Sequence, residues 1–472
     1  MVRTGLVLQR ATGRQQATAS NKHNRNTGET PGSYCPAGPS TPGGPERKTA
    51  LDTGNAAWVL GSAALVLFMT PGLALFYGGM DRSRNVLNML MMNFWCLLIV
   101  PIVWVAIGFT LSYSGDGTVI GNLDWAFLRD LDITGDTSTT SGSTLLAVAY
   151  LGMFAVITPA LISGAVADRM KFSAWAIFVP LWVILVYCPI GFWVYGGIWG
   201  DEVNLTGWLG ARGSLDFAGG TVIHVNAGIA ALAAVLVLGK RRGWPGEGHP
   251  PHSMPLVMLG TGILWFGWFG FNAGSAFAAN GVAIQAFMNT FLAAAAAGLT
   301  WGVVEKLRDG HFTNLGAASG IVAGLVAITP AAGFVSGGAP LAIGAVAGLI
   351  CCFAVRLKFR AGYDDALDVV GVHFVGGLVG SLLIGLFANP EFFGGTFDEG
   401  LFHGGGLGLL GEQLLANVSA IVWSFVVTFA ILKVLDVIMG IRVDQETEFT
   451  GLDLEEHAET AYHGGNATME RA

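Results

Sequence analysis

Long apolar segments and short polar loops alternate along most of the chain. Eleven apolar segments follow one another from Ala56 onward, and each has the about 20 residues needed to cross the hydrocarbon layer of a membrane. Because every backbone polar group inside lipid needs an internal partner, we expect each segment to form a helix. The predicted helices cover residues 57–77, 86–113, 144–166, 173–199, 217–238, 255–276, 281–303, 315–333, 340–357, 369–388 and 412–439.

Composition supports a membrane protein. Of 472 residues, 53% are hydrophobic and 12% are charged, whereas about 25% of residues are charged in soluble proteins. The five cysteines give no disulfide framework. A net charge of −8 gives no support for nucleic-acid binding, which needs a basic surface. The predicted fold class is therefore an all-α polytopic membrane protein.

Three regions differ in composition. Residues 1–52 are polar and rich in Gly, Pro, Ser and Thr, which predicts a disordered tail, and they lack the apolar stretch of a signal peptide. Residues 53–440 hold the predicted transmembrane domain, and residues 441–472 form an acidic tail. Two interpretations of the first region stay open: a translated tail, or a start assigned upstream of the true one.

Basic residues are concentrated in alternate loops. The loops after segments 1, 3, 5, 7 and 9 contain twelve Lys and Arg residues, whereas the other five loops contain only Arg129 and Arg212. Because basic loops stay in the cytoplasm, we expect the N-terminus outside and the C-terminus inside. The N-terminal tail opposes this assignment, since its first 50 residues carry seven basic and two acidic residues.

The sequence contains an internal repeat. The tetrapeptide ITPA occurs at Ile157–Ala160 and again at Ile328–Ala331, and an Asp-x-x-Gly motif occurs at Asp216–Gly219 and Asp368–Gly371. Both pairs are five segments apart, so the second copy enters the membrane from the opposite side. We therefore predict an inverted 5+5 repeat plus a final helix, an arrangement that places a transport site near the midplane.

Each Asp-x-x-Gly motif is followed by a histidine. His224 lies roughly 12 Å along its helix from Asp216, and His373 roughly 8 Å from Asp368, so both approach the middle of the membrane. A single buried histidine can serve only to hydrogen-bond a neighbouring helix, but a symmetry-related pair indicates a transport pathway. Both aspartates are expected at first-turn or N-cap positions, where a carboxylate accepts backbone N–H groups, and capping alone can explain them.

Aromatic residues collect at the predicted outer ends of segments 2, 4 and 6. The stretches are GFTLSY at Gly108–Tyr113, YCPIGFWVYGG at Tyr187–Gly197 and WFGFNAGSA at Trp268–Ala276. Aromatics at a membrane interface often form only a belt. Clustered with the hydroxyl of Ser275, they also fit a cation site made of ring faces and one acceptor.

Several of these motifs resemble the ammonium transporter family (Amt/MEP/Rh). The resemblance extends from about residue 55 to residue 462. It is carried by DFAGGTVIHVNAGIAALAAVLVLGKR at residues 216–241, PGLALFYGG at 71–79, WFGFNAGSA at 268–276, DVVGVH at 368–373 and the tail GIRVDQETEFTGLDLEEHAETAY at 440–462.

The resemblance implies a homotrimer in the plasma (inner) membrane, with one narrow hydrophobic pore in each subunit. Ser275 matches the hydroxyl of an outer vestibule, and Tyr195 takes the place where bacterial members commonly have a cation-binding tryptophan. Tyr113 takes the place of the outer gate phenylalanine, and Phe271 matches the inner gate. Both tyrosines keep a ring, but Tyr is a weaker cation–π partner than Trp. No cofactor and no metal are implied.

The same resemblance assigns the remaining positions. His224 and His373 match the twin histidines of the pore, and Asp216 matches the aspartate near the recruitment site. Further pore or vestibule positions are matched by Trp268, Tyr187 and Thr329. Desolvating ammonium is too costly for a hydrocarbon-lined pore, so we predict that NH4+ is bound, deprotonated and conducted as NH3, with separate proton transfer left open.

Other functional classes are less favoured. The chain has no H-E-x-x-H or G-x-S-x-G motif, so an enzyme is not expected. An intramembrane metal transporter would need more ligands near the histidines. An ammonium sensor of the same fold stays open as an alternative.

The acidic tail has two interpretations. It is either a solvated disordered tail or, as the resemblance implies, an ordered cytoplasmic segment that favours conduction. The resemblance also implies a PII-type signalling protein as a partner at the cytoplasmic face. We expect Arg442 to pair with Asp364 or Asp365 on a neighbouring loop.

Overall fold

The computed structural model describes residues 52–129, 131, 144–197, 207–246, 250–393 and 397–462. All of them belong to one compact unit, Lys48–Ala472. The predicted disordered tail, except Asp52, lies outside the described residues. Asp52 caps the first helix, since its Oδ1 accepts the backbone N–H of Asn55 at 2.8 Å.

The described residues form helices and no β-strand, apart from an isolated bridge between Met170 and Arg442. Within the described residues, ten helices are long and apolar enough to cross a membrane, whereas α8 has only 15 residues. The helices are α1 (Thr53–Met80), α2 (Val86–Tyr113), α3 (Thr144–Val166), α4 (Phe172–Tyr195), α5 (Gly220–Leu238), α6 (Met254–Ala276), α7 (Gly281–Asp309), α8 (Asn314–Ile328), α9 (Ala339–Ala361), α10 (Val370–Phe387) and α11 (Gly408–Met439). Each predicted segment therefore overlaps one of these helices.

Helices α5 and α10 cross at very close range because glycines lie at their contact. A Cβ atom on Gly228 would lie only 2.3 Å from the backbone N of Phe374, and one on Gly377 would lie 3.0 Å from Cβ of His224. Small residues are what allow helix backbones to approach in membrane proteins. This crossing brings the two histidine-bearing turns together.

In the part of the chain that the structure describes, four helices contain a π-helical turn. The turns are Trp104–Gly108 in α2, Val183–Tyr187 in α4, Gly220–Val225 in α5 and Val370–Phe374 in α10. His224 and His373 are each the next-to-last residue of their turn. Single π turns inside α-helices often occur at functional sites, and the hydrophobic pattern of the sequence does not predict them.

An aspartate caps each histidine-bearing turn. Asp216 accepts the backbone N–H groups of residues 219–222 at 2.6 to 3.1 Å. Asp365 accepts those of Val369 and Val370 at 3.1 and 2.7 Å. These bonds satisfy donors that have no partner within the first turn of a helix.

The prediction that Asp368 caps α10 is therefore wrong. Its carboxylate forms an ion pair with Nζ of Lys358 at 2.7 Å instead. Asp365, and not Asp368, corresponds to Asp216, because each lies eight residues before the histidine of its helix. A carboxylate in that position reaches the free N–H groups of the π turn.

The tail is folded as far as residue 462. It contains α12 (Gln445–Thr450) and α13 (Leu452–His457). Asp453 is 2% exposed and its Oδ1 accepts the backbone N–H of Asn88, at the start of α2, at 2.8 Å. The acidic tail therefore buries part of its charge.

The predicted partner of Arg442 is also wrong. Its guanidinium forms an ion pair at 2.7 Å with Glu448, which lies in the same tail and also accepts the backbone N–H of Arg242 at 2.7 Å. Asp364 pairs with Arg241 instead. The carboxylate of Asp365 accepts the backbone N–H groups of Val369 and Val370. Glu448 is 2% exposed and the Arg442 side chain is 30% exposed, so only the carboxylate of this ion pair is protected from water.

Candidate functional site

A cavity of about 410 Å³ lies at the ends of α2, α4 and α6; we call it the aromatic cavity. Four of the predicted substrate-binding residues, Tyr113, Tyr195, Asp216 and Ser275, line it together. Trp268 is not among its lining residues. Its wall is mainly apolar ring surface, with few polar groups.

Two phenylalanine rings are stacked at the base of this cavity. The ring of Phe154, on α3, stacks on the ring of Phe271, on α6, with centroids 4.2 Å apart and planes inclined by 30°. Tyr113, predicted as the outer gate, is not the ring that stacks on Phe271, and the gate roles of Tyr113 and Phe271 stay predictions. Tyr113 lines the cavity but packs on Phe109 and Trp104, with ring centroids at 5.3 and 6.1 Å.

Ser275 lies in a 3₁₀ turn that ends α6. Its hydroxyl donates to the carbonyl of Phe271 at 2.9 Å. The Tyr150 hydroxyl lies 3.1 Å from the Ser275 oxygen and donates to the carbonyl of Gly270 at 2.8 Å. With both hydroxyl hydrogens directed at carbonyls, the Ser275 oxygen keeps a lone pair for a donor in the cavity. Sequence reasoning missed Tyr150, which lies one helical turn before Phe154.

Tyr195 and Asp216 are linked through the backbone. The Tyr195 hydroxyl donates to the carbonyl oxygen of Asp216 at 2.9 Å. Asp216 is 7% exposed, and its carboxylate accepts the four backbone N–H groups of its cap. Its direct role is therefore to fix the turn that carries His224.

The two histidines meet in a much smaller space, the histidine cavity, of about 10 Å³. Their Nδ1 atoms are 3.3 Å apart. The Trp268 ring stacks on His224 at 5.3 Å and its Nε1 donates to Thr329 at 2.7 Å. Phe271 also lines this space, so the stacked rings separate it from the aromatic cavity.

The chemistry of the pair follows from the short contact between the Nδ1 atoms. One imidazole must donate there and the other must accept, so the neutral pair holds one proton between the rings. Nε2 of His224 is buried and has no hydrogen-bond partner among the described residues. The histidine cavity has about the volume that one water molecule needs.

Metal binding receives no support from the same region. In the part of the chain that the structure describes, no three His, Cys, Asp or Glu side chains are grouped as metal ligands. The fold and the site define a multi-pass helical membrane protein whose aromatic cavity leads to a buried histidine pair.

Known proteins identify the family. The model of the Ammonium Transporter Family matches residues 57–462, and the chain belongs to this family. An ammonium transporter of Mycobacterium tuberculosis is 50% identical over 433 residues, which cover 87% of this chain and 90% of that protein. The crystal structure of Candida albicans Mep2 is 36% identical with a TM-score of 0.78, covering 84% of this chain and 87% of that one.

A sensor protein has the same fold. A solved structure named Sensor Amt Protein is 29% identical with a TM-score of 0.78, and the match covers 86% of this chain and 98% of that chain. The family name and the names of the relatives support ammonium transport as the function.

Proposed function

We propose that this protein conducts ammonia across the plasma (inner) membrane after removing a proton from bound ammonium. The observation that carries the proposal is the buried pair of histidines, joined at 3.3 Å and separated from the aromatic cavity by stacked phenylalanines. An uncharged molecule can enter such a space, whereas a bare cation pays the full cost of desolvation.

Residue roles follow the path of the substrate. NH4+ binds in the aromatic cavity, where the rings of Tyr113 and Tyr195 give cation–π contacts and Ser275 accepts a hydrogen bond. Phe154 and Phe271 act as the gate. His224 and His373 then hydrogen-bond ammonia, with Trp268 stacked against the pair.

Membrane arrangement and assembly are part of the same proposal. The chain crosses the membrane eleven times as an inverted 5+5 repeat plus a final helix, with the N-terminus outside and the C-terminus inside. Residues 53–440 form the transmembrane domain, residues 441–472 the cytoplasmic tail, and residues 1–52 a disordered tail. Three copies form a homotrimer, and a PII-type signalling protein binds the cytoplasmic face.

Uptake of labelled methylammonium by proteoliposomes tests the proposal. A transporter accumulates the label far above empty liposomes. A sensor of the same fold binds ammonium without this flux, so binding with no uptake would reject transport and leave the sensor as the function.

Replacing Tyr195 with Trp tests the cation site. We expect Tyr195→Trp to lower the half-saturation concentration for methylammonium, because Trp is the better cation–π partner. The corresponding gain in binding free energy is a fraction of a kcal/mol. Tyr195→Phe is the matched control, since it loses the same hydrogen bond to Asp216 without the larger ring. A Trp variant weaker than the Phe variant would show that residue 195 does not face the cation.

Truncation after Gly440 tests the tail. The buried Glu448 and Asp453 join the tail to the ends of the membrane helices. We expect the truncated protein to insert normally but to transport more slowly, measured as methylammonium uptake per inserted molecule. Full activity after truncation would exclude a role of the tail in conduction.

A further inference from the structure

Helix α11 binds the segment that precedes Asp216 through one buried amide. Oε1 of Gln413 accepts the backbone N–H of Leu215 at 2.6 Å, and its Nε2 donates to the carbonyl of the same residue at 2.8 Å. The side chain therefore binds both backbone polar groups of Leu215, as a residue of a neighbouring antiparallel strand does in a sheet. Gln413 is fully buried.

The amide of Gln413 is itself held in place by a network. Its Nε2 also donates to Oγ of Ser381, on α10, at 3.0 Å, and Asn417, one turn further along α11, donates to the same oxygen at 2.7 Å. Oδ1 of Asn417 accepts the hydroxyl of Thr221, in the π turn of α5, at 3.2 Å. All four residues are 0 to 1% exposed. A buried polar network in which every member is hydrogen-bonded fixes one arrangement of its helices.

The segment that Gln413 binds forms part of the cation site. Leu215 and Asp216 both line the aromatic cavity. Because the carbonyl of Asp216 accepts the Tyr195 hydroxyl at 2.9 Å, the position of this backbone determines where the Tyr195 ring lies. Among the described residues, none from α11 lines the aromatic cavity or the histidine cavity. Gln413 therefore acts on the cation site only through the backbone of Leu215.

We propose that Gln413 is a positioning residue of the cation site, which holds the Leu215–Asp216 backbone where Tyr195 faces the bound cation. This role rests on the proposed function, in which the aromatic cavity binds ammonium. It gives the final helix, which lies outside the predicted 5+5 repeat, a part in substrate binding. An apolar side chain at residue 413 would leave the N–H and carbonyl groups of Leu215 without these partners, and the segment would move to regain others.

Gln413→Met tests this role, because methionine has a similar length but forms neither hydrogen bond. In methylammonium uptake by proteoliposomes of the full chain, the half-saturation concentration should rise about fivefold, the factor that one net hydrogen bond contributes. The maximal rate per inserted molecule should change much less, because the Asp216 cap of the histidine turn is kept. Gln413→Glu keeps the acceptor for the backbone N–H of Leu215 and should raise the half-saturation concentration less than Gln413→Met.

Glu412→Gln is the matched control. The adjacent side chain of α11 also binds the loop before Asp216, through an ion pair with Arg212 at 2.8 Å, but this pair is exposed to water. Exposed ion pairs contribute little. Glu412→Gln should therefore leave both the half-saturation concentration and the maximal rate unchanged.

A double-mutant cycle separates positioning from general packing. In a Tyr195→Phe background, which has already lost the bond to Asp216, Gln413→Met should raise the half-saturation concentration less than about twofold. In a Ser275→Ala background it should keep its full effect, because Ser275 lies on α6. Equal effects in both backgrounds, or a lower maximal rate with an unchanged half-saturation concentration, would show that Gln413 only packs α11, and the proposal would be wrong.

Binding without transport separates this result from the proposed function. Calorimetric titration of the purified full chain with methylammonium measures affinity alone. If the unmodified protein binds but does not transport, conduction is rejected, while a weaker affinity in Gln413→Met still supports the positioning role. Equal affinity in the two proteins would overturn that role whatever the transport result. No binding by the unmodified protein would overturn both.

Discussion

Replacing either histidine of the buried pair with alanine is expected to reduce methylammonium uptake about tenfold or more. Loss of a buried hydrogen-bonding partner costs about 1–3 kcal/mol, and in His224→Ala or His373→Ala the remaining imidazole loses its contact at Nδ1. Alanine also leaves open the space beside Trp268 that the imidazole fills. Uptake should therefore fall, or potassium should begin to pass. Both quantities are measured in the same proteoliposomes.

A control variant separates this effect from general loss of packing. Thr428→Val removes one buried interhelical hydrogen bond, to Nε1 of Trp182 at 2.9 Å, without contacting either cavity. We expect it to transport like the unmodified protein. Unchanged uptake and unchanged selectivity in both histidine variants would mean that the pair only joins α5 to α10.

The second large effect is expected at Asp216. Asp216→Ala leaves four backbone N–H groups without their acceptor at the start of the turn that carries His224. We expect a loss of roughly 2 kcal/mol or more in the free energy of unfolding, the upper end for a helix cap. Uptake should be almost lost. Thermal melting of the purified protein and methylammonium uptake measure the two effects.

Two further substitutions calibrate the loss at Asp216. Asp216→Asn keeps one acceptor oxygen and should fall between the alanine variant and the unmodified protein. Asp52→Ala removes an exposed cap with one hydrogen bond, so it should cost about 1 kcal/mol or less. If Asp216→Ala melts like Asp52→Ala and still transports, the four hydrogen bonds do not determine the geometry of the site.

Hydrophobic segment length predicted the helices well, because the need to bury backbone polar groups in lipid leaves few other structures. It could not predict the π turns, since one extra residue in a turn does not change an apolar run. The inverted 5+5 repeat stays a prediction, and its register was set by the spacing of Asp-x-x-Gly. The acceptor of the second cap, Asp365, lies three residues earlier, where the free N–H groups can reach it.

The aromatic gate shows a different limit. Tyr113 was chosen because the resemblance places it where the family has its outer gate phenylalanine, but the ring that stacks on Phe271 comes from α3. Phe154 lies four residues before the threonine of the ITPA motif, whose hydroxyl donates to the Phe154 carbonyl at 2.6 Å. The ITPA motif could therefore have pointed to Phe154. Ring stacking between helices that are distant in the sequence cannot be predicted from the sequence and is seen only in the folded chain.

The contact between the Nδ1 atoms has a consequence for the symmetry of the histidine pair. Helices α5 and α10 each supply one imidazole, but one hydrogen atom cannot be shared equally by two nitrogens that are 3.3 Å apart. At any moment one ring carries its hydrogen on Nδ1 and exposes an acceptor at Nε2, while the other exposes a donor. The two rings are therefore never chemically equivalent, and the site has a polarity that reverses when both tautomers exchange.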